Sequence, residues 1–318
     1  MKTIKISFET KFLGVLGFIV LSSLFSCAQK TVTGDCPIKY DSEVQLELST
    51  HTLSPLSAYG ERALFNQNVS STTTITIDTL VDRIPYEQFC FLKKKADMLS
   101  ISTCTSGFIT GIKMSYGLTP DKKSVSLVYQ PIKLCKYSEN IVTESSSSYT
   151  VVTFFVTSVG AKYLYNKSAE VFSLTTQPIA DAHTGRYLTD ILIVHNYGQN
   201  RLPFKDPIPD NDTTGDVNSV IFSFQEIERL MYDNNFPSHV KIWNSLKQYT
   251  FETTGIQRKH GIFLGPGNIN KKGGEREEDK NTVFVNSYSF DGKYANRTHL
   301  CPPACFTLSY RKASAKKK

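Results

Sequence analysis

Tyr149-Thr150-Val151-Val152-Thr153-Phe154-Phe155-Val156-Thr157 is a run of β-branched and aromatic residues with a serine at each flank. Side chains of this kind are crowded on a helix and fit a pleated surface, so the run reads as a strand. Similar runs recur along the chain. They cover Phe108 to Tyr116, Ser124 to Tyr129, Tyr187 to Val194, Thr282 to Phe290 and Phe306 to Tyr310. Glu43 to Leu48 alternates polar and apolar residues strictly, and Thr72 to Leu80, TTTITIDTL, has one polar face. Each run is short and bounded by Gly, Pro, Asn, Asp or Ser, as strands are. Asp291-Gly292 suggests a tight turn after one of them, and Ser145 to Ser148 reads as a loop. The pattern predicts a β-dominated α+β protein built on an antiparallel sheet or sandwich.

Helical spacing shows in one region. Ser223 and Glu226 have the spacing of a capping box, and Phe224, Ile227, Leu230 and Met231 then share a helical face. Asp233-Asn234-Asn235-Phe236-Pro237 ends this segment. Ser238 then stands where a second cap would, with Val240, Trp243, Leu246 and Tyr249 at helical spacing. The expectation is a helical pair near 224–250 packed on the sheet.

The chain has 318 residues, 40% of them apolar and 12% aromatic, enough for a substantial core and too many for a disordered chain. The net charge is +7, and Arg311, Lys312, Lys316, Lys317 and Lys318 concentrate part of it in a basic tail. Such a tail reads as a solvated end.

The N-terminus carries the sharpest functional signal. Lys2, Lys5 and Lys11 precede an uncharged apolar run from Phe12 to Phe25, too short to cross a bilayer as a helix, which takes roughly 20 residues. Leu24-Phe25-Ser26-Cys27 closes the run and resembles the lipobox of bacterial lipoproteins. The resemblance implies cleavage before Cys27 and acylation of that cysteine, and hence a membrane partner reached through a lipid anchor. Ala28, Gln29 and Lys30 follow. They lack the aspartate of inner-membrane retention and the acidic cluster that resembles a surface-export signal. The expected location is therefore the outer membrane facing the periplasm, where nucleic acid is not an expected partner and an envelope protein is. The alternative is plain secretion after cleavage before Gln29.

The expected organisation is a signal peptide at 1–26, a lipidated tether at 27–42, a β-rich domain at 43–197 and a linker at 198–216. An α+β region at 217–311, which could pack with 43–197 as one unit, and a tail at 312–318 complete it. Without Cys27, six cysteines remain: Cys36, Cys90, Cys104, Cys135, Cys301 and Cys305. An even count in an exported chain suggests disulfides, with 15 possible connectivities. Cys301-Pro302-Pro303-Ala304-Cys305 is one residue too long for a thioredoxin-type pair. It leaves open bridges to distant partners, a local bridge and free thiols.

Candidate chemistry is sparse. Asp210, Asp212, Asp216 and Asn218 occupy positions that resemble an EF-hand or dockerin calcium loop, with Gly215 at the sixth position. Ile221 stands where that loop needs a bidentate acid, so calcium is a weak expectation. Asp190 and His195 flank Ile191-Leu192-Ile193-Val194 and are the catalytic candidates for a hydrolase, with His183 a further histidine of interest. No zinc-protease, nucleophile-elbow, phosphate-loop or dinucleotide motif occurs. The sequence thus favours a lipid-anchored envelope protein with a binding, scaffold or assembly role. A periplasmic hydrolase and a calcium-dependent adhesin are the alternatives.

Overall fold

A computed structural model describes residues 46–47, 52–53, 55–69, 80–100, 104, 106–121, 124–144, 147–187, 219–251, 255–267, 284–286, 300–301 and 307–312. Tyr40–Lys318 forms one compact unit, and the other unit, Met1–Lys39, lies outside the described residues. The signal segment, Cys27, Cys36, Cys305, Asp190, His195, the 198–216 segment and the four calcium candidates lie outside them too.

The fold is α+β and β-dominated, and every strand pair among the described residues is antiparallel. The strands are β1 (Leu46–Glu47), β2 (Thr52–Leu53), β3 (Leu80–Pro85), β4 (Phe108–Leu118), β5 (Val125–Glu144), β6 (Ser147–Val159) and β7 (Tyr163–Asn166). They continue as β8 (Val171–Leu174), β9 (Ser219–Ser223), β10 (His239–Phe251), β11 (Gly255–Gly267), β12 (Phe284–Asn286), β13 (Leu300–Cys301) and β14 (Thr307–Lys312). The helices are α1 (Pro55–Val69), α2 (Tyr86–Asp97), α3 (Gln177–Tyr187) and α4 (Phe224–Asp233).

One sheet runs β1-β14-β6-β5-β4-β9-β13, with the β7–β8 hairpin branching from β5. The other runs β2-β12-β11-β10-β3. Helices α2 and α4 touch strands of both sheets, α3 lies on β4 and β5, and α1 lies on β10. Each sheet draws strands from both 43–197 and 217–311: β9 pairs with β4, and β10 with β3.

The run that opened the reading is β6, two residues longer at each end. Ser145 to Ser148 is a much tighter connection than a four-residue loop, because Glu144 pairs with Ser147. The strand expected at 124–129 continues to Glu144.

The second helix of the expected pair is corrected. Residues 239–251 form the strand β10, paired with β11 along its whole length and with β3 at its start. Ser238 caps nothing, and its Oγ meets His239 Nδ1 at 2.8 Å. Val240, Lys241, Ile242, Trp243, Asn244 and Ser245 are all buried, so both faces of this central strand are covered. A strand covered on both faces loses its period-2 signature, and its apolar residues then match helical spacing by coincidence.

The first helix of the pair is α4. Ser223 Oγ accepts from Glu226 N–H and the Glu226 carboxylate accepts from Ser223 N–H, a complete capping box. Phe224, Ile227, Leu230 and Met231 are all buried. Tyr187, expected in a strand, ends α3, where its ring stacks on Tyr116 at 5.1 Å. Residues 188–194 of that expected strand lie outside the described residues.

Candidate functional site

A cluster of polar and charged side chains lies where the β7–β8 hairpin meets β3, the last strand of the five-stranded sheet. Tyr86 N–H, just past β3, donates to Ser238 O. By alternation, the backbone groups of Arg83 and Pro85 point away from β10. Proline suits that position because its missing N–H would have faced outward. Asp82 pairs with Ile242 and Leu80 with Trp243, so Val81 is an extra residue, a bulge.

The turn between β7 and β8 straddles this edge. Tyr165 Oη donates to Arg83 O at 2.8 Å, and Lys167 Nζ donates to Val81 O. Side chains of successive strand residues point to opposite faces. Lys167 reaches the face bearing Asp82, with Nζ 3.4 Å from Oδ1, and Glu170 reaches the face bearing Arg83 at 3.3 Å. His239, opposite Pro85, shares the Arg83 face, and its Nε2 lies 3.9 Å from Glu170 Oε1. Within the turn, Asn166 Oδ1 accepts from the N–H groups of Ser168 and Ala169, and Glu170 takes a φ of +53°. That left-handed backbone is uncommon away from glycine and asparagine.

Asp82 is the centre of the cluster. It is 5% exposed and accepts a hydrogen bond from Tyr129 Oη of the larger sheet. Burial raises its pKa to about 6, against the opposing pull of Lys167 and of the Tyr129 hydroxyl. Burial and the Asp82 charge push the Tyr129 hydroxyl well above its ordinary range. Burial and then Arg83 hold His239 below the ordinary histidine value, although Glu170 pulls the other way. Phe172 closes the site, its ring 4.8 Å from Tyr129 and 5.5 Å from Tyr165, while its N–H donates to Gln88 Oε1. The cluster therefore joins the two sheets through a buried carboxyl group whose pKa burial raises to about 6.

Asp82 was not among the expected site residues. Its signal in the sequence is one acid inside the apolar stretch Leu80-Val81-Asp82-Arg83-Ile84-Pro85. Lys167 and Glu170 carry no such signal, since an exposed turn is the ordinary place for charge.

His183, singled out from the sequence, is buried on α3. Its Nδ1 lies 3.1 Å from Ser126 Oγ on β5. Burial and then the nearby Arg186 keep its pKa below the usual value. Arg186 Nε and Nη2 both donate to Leu118 O, which pins α3 to the end of β4. Gly117 makes this approach possible, because a Cβ there would meet His183 Cβ at 3.1 Å. Among the described residues no carboxylate hydrogen-bonds His183, and the pair acts as a helix-to-sheet contact.

Cys104 and Cys135 form a disulfide, with Cα atoms 5.6 Å apart. Cys90, buried on α2, is also disulfide-bonded. Cys301 lies in β13 opposite Ser219, and residues 302–306 lie outside the described residues. No group of three or more His, Cys, Asp or Glu residues placed to hold a metal occurs among the described residues. No described helix is long and apolar enough to cross a membrane. No family model, curated protein or solved structure matches the chain.

Proposed function

We propose that this chain is a lipid-anchored envelope protein whose body binds or holds a partner rather than turning over a substrate. The observation that carries the reading is Leu24-Phe25-Ser26-Cys27 at the end of an uncharged apolar run behind a basic segment. An acylated cysteine bearing two or three chains holds a protein at a bilayer, since each buried methylene contributes about 0.8 kcal/mol. The Cys104–Cys135 disulfide supports the reading, because such bonds persist in exported proteins and are rare in reducing compartments. The partner is an envelope protein and the membrane face is periplasmic. Exposed Tyr137 and Ile141 on the outer half of β5 are the apolar side chains such a partner would cover.

Membrane fractionation of Cys27→Ala is the test of the anchor. The unaltered protein partitions into detergent and yields an acylated N-terminal peptide by mass spectrometry, and the variant does neither. A variant that still partitions with the same mature mass overturns the anchor. Crosslinking in intact cells, followed by isolation under denaturing conditions, tests the binding role. A stoichiometric crosslinked envelope protein, lost in a Tyr137→Ser, Ile141→Ser double variant, is the expected result.

A further inference from the structure

We propose that the face of β10 turned toward α1 is a binding site for a small organic acid. The carboxylate accepts hydrogen bonds from the Trp243 indole N–H and the Ser245 hydroxyl, and the apolar body lies beside Ala58 and Phe263. The site is separate from the Asp82 cluster and does not depend on the lipid anchor.

Two orphaned polar atoms carry the inference. Trp243 is 6% exposed and Ser245 is wholly buried, yet neither Trp243 Nε1 nor Ser245 Oγ has a hydrogen-bond partner. Buried polar groups are nearly always matched, because an unmatched one costs roughly 1–3 kcal/mol. The two residues are two positions apart on β10, whose register with β11 is unbroken, so both side chains leave the same face. Directly opposite Ser245 stands Gly261, which has no side chain to meet the hydroxyl. Opposite Trp243 stands Phe263, whose ring stacks on the indole at 6.3 Å and offers no acceptor. An indole nitrogen can only donate, so the group that completes this site is an acceptor.

The neighbours set its charge. Arg62 Cζ lies 3.8 Å from the centroid of the Trp243 ring, and Lys241 Nζ lies 5.5 Å from it. A guanidinium stacked on a ring keeps its N–H groups in its own plane, as a fork that fits a carboxylate. Lys241 is 3% exposed, and Arg83, opposite it on β3, is paired with Glu170. With Glu61 of α1 set against Arg62 and Lys241, the balance of these groups stays positive. Charges act over longer range away from water, so a negative acceptor is favoured here over a neutral one.

The apolar neighbours set its body. Ala58, one turn before Arg62 on α1, packs with Trp243 and Phe263, and Leu80 joins them. The donors thus border an apolar wall, which suits an acid on a short hydrocarbon body better than an inorganic anion. Arg62 is half-buried and also lies 5.6 Å from the ring of Tyr59, which is 42% exposed, so it stands on the solvent side of the site.

Trp243 is the single tryptophan of the chain, so its emission reports this site directly. The test is titration of the full chain with hexanoate, acetate and inorganic phosphate at constant pH and ionic strength, read by emission and by the thermal midpoint. Hexanoate is expected to change the emission saturably and to raise the midpoint, with at least tenfold higher affinity than acetate because it buries more methylenes. Phosphate is expected to do neither. Ser245→Ala removes an unmatched polar atom, so the free variant is expected to melt no lower than the unaltered protein while binding hexanoate at least fivefold more weakly. Arg62→Gln is expected to weaken hexanoate at least tenfold. No saturable response in either readout, phosphate binding as tight as hexanoate, or a hexanoate affinity unmoved by both variants would overturn the proposal.

Discussion

A buried ionisable side chain reports its surroundings through the pH dependence of folding. His183 contributes in one direction. Its folded pKa lies below the unfolded value of 6.5, so the unfolded chain binds the proton more tightly. The stability of the neutral ring is complete above pH 6.5 and falls as the pH drops below it. Thermal unfolding from pH 8 to pH 5 should show a larger loss for the unaltered protein than for His183→Gln. Equal losses would mean that the ring is not desolvated against Arg186. Glu228 contributes in the other direction. Burial raises its pKa despite the ion pair with Lys93, so its contribution favours the fold more below its folded pKa than above it. The disulfide is the other single-residue determinant of stability. Cys104 and Cys135 are 31 residues apart, a loop whose closure stabilises the fold by roughly 3–4 kcal/mol. Cys104→Ser should lower the unfolding midpoint by several degrees, and reductant should lower that of the unaltered protein by at least as much, since it also opens the bond of Cys90.

At the scale of elements, a few local devices set how strands and helices meet. Ser223 is wholly buried, and the capping box satisfies donors that would otherwise face the interior at the start of α4. Ser223→Ala should cost about 1–2 kcal/mol in chemical denaturation. Gly111 lies where β4 passes β9, and a Cβ there would meet Phe222 O at 2.6 Å. Backbone cannot yield as a side-chain end can, so Gly111→Ala should force β9 away and cost about 1–3 kcal/mol. A neutral result would mean that β9 tolerates displacement from β4. Lys133 is a third device. It is buried, and its Nζ donates to Asp97 O at 3.0 Å and Leu99 O at 2.9 Å, closing the C-terminal end of α2 with the cation that the helix dipole favours there.

Across the whole molecule, the two sheets share α2 and α4, and the β7–β8 hairpin joins them again at Asp82. Lys93 of α2 is ion-paired with Glu228 of α4, so the two helices also hold each other. Strands from both ends of the chain interleave, β9 beside β4 and β14 beside β6. Cutting the chain near residue 217 should therefore not release a folded 43–197 fragment. Expression of that fragment should give poorly dispersed amide resonances, and a cooperative, well-dispersed fragment would contradict this.

Local chemistry decided much of this protein before any tertiary contact formed. The β-branched run at 149–157 could only be a strand, since its χ1 preferences suit a pleat. Ser223 and Glu226 could start a helix on their own, since both halves of a capping box lie within four residues. The proposed anchor rests on four adjacent residues, Leu24-Phe25-Ser26-Cys27, and needs no tertiary contact to be read. Tertiary structure decided the rest. Residues 239–251 became a strand because β11 pairs along their whole length and β3 pairs with 239–243, and residues 240–245 are buried on both faces, which erased the alternation that marks a strand. Helices α1 and α3, which carry Pro55 and Pro178 in their first turns, escaped the pattern for want of a strong apolar stripe, and α2 escaped it because its buried Tyr86, Phe89, Cys90, Leu92 and Ala96 are interspersed with a run of lysines. The Asp82 joint was not legible either. Its parts come from positions 82, 129, 167, 170 and 239, and an aspartate acquires a pKa near 6 only when folding removes its water.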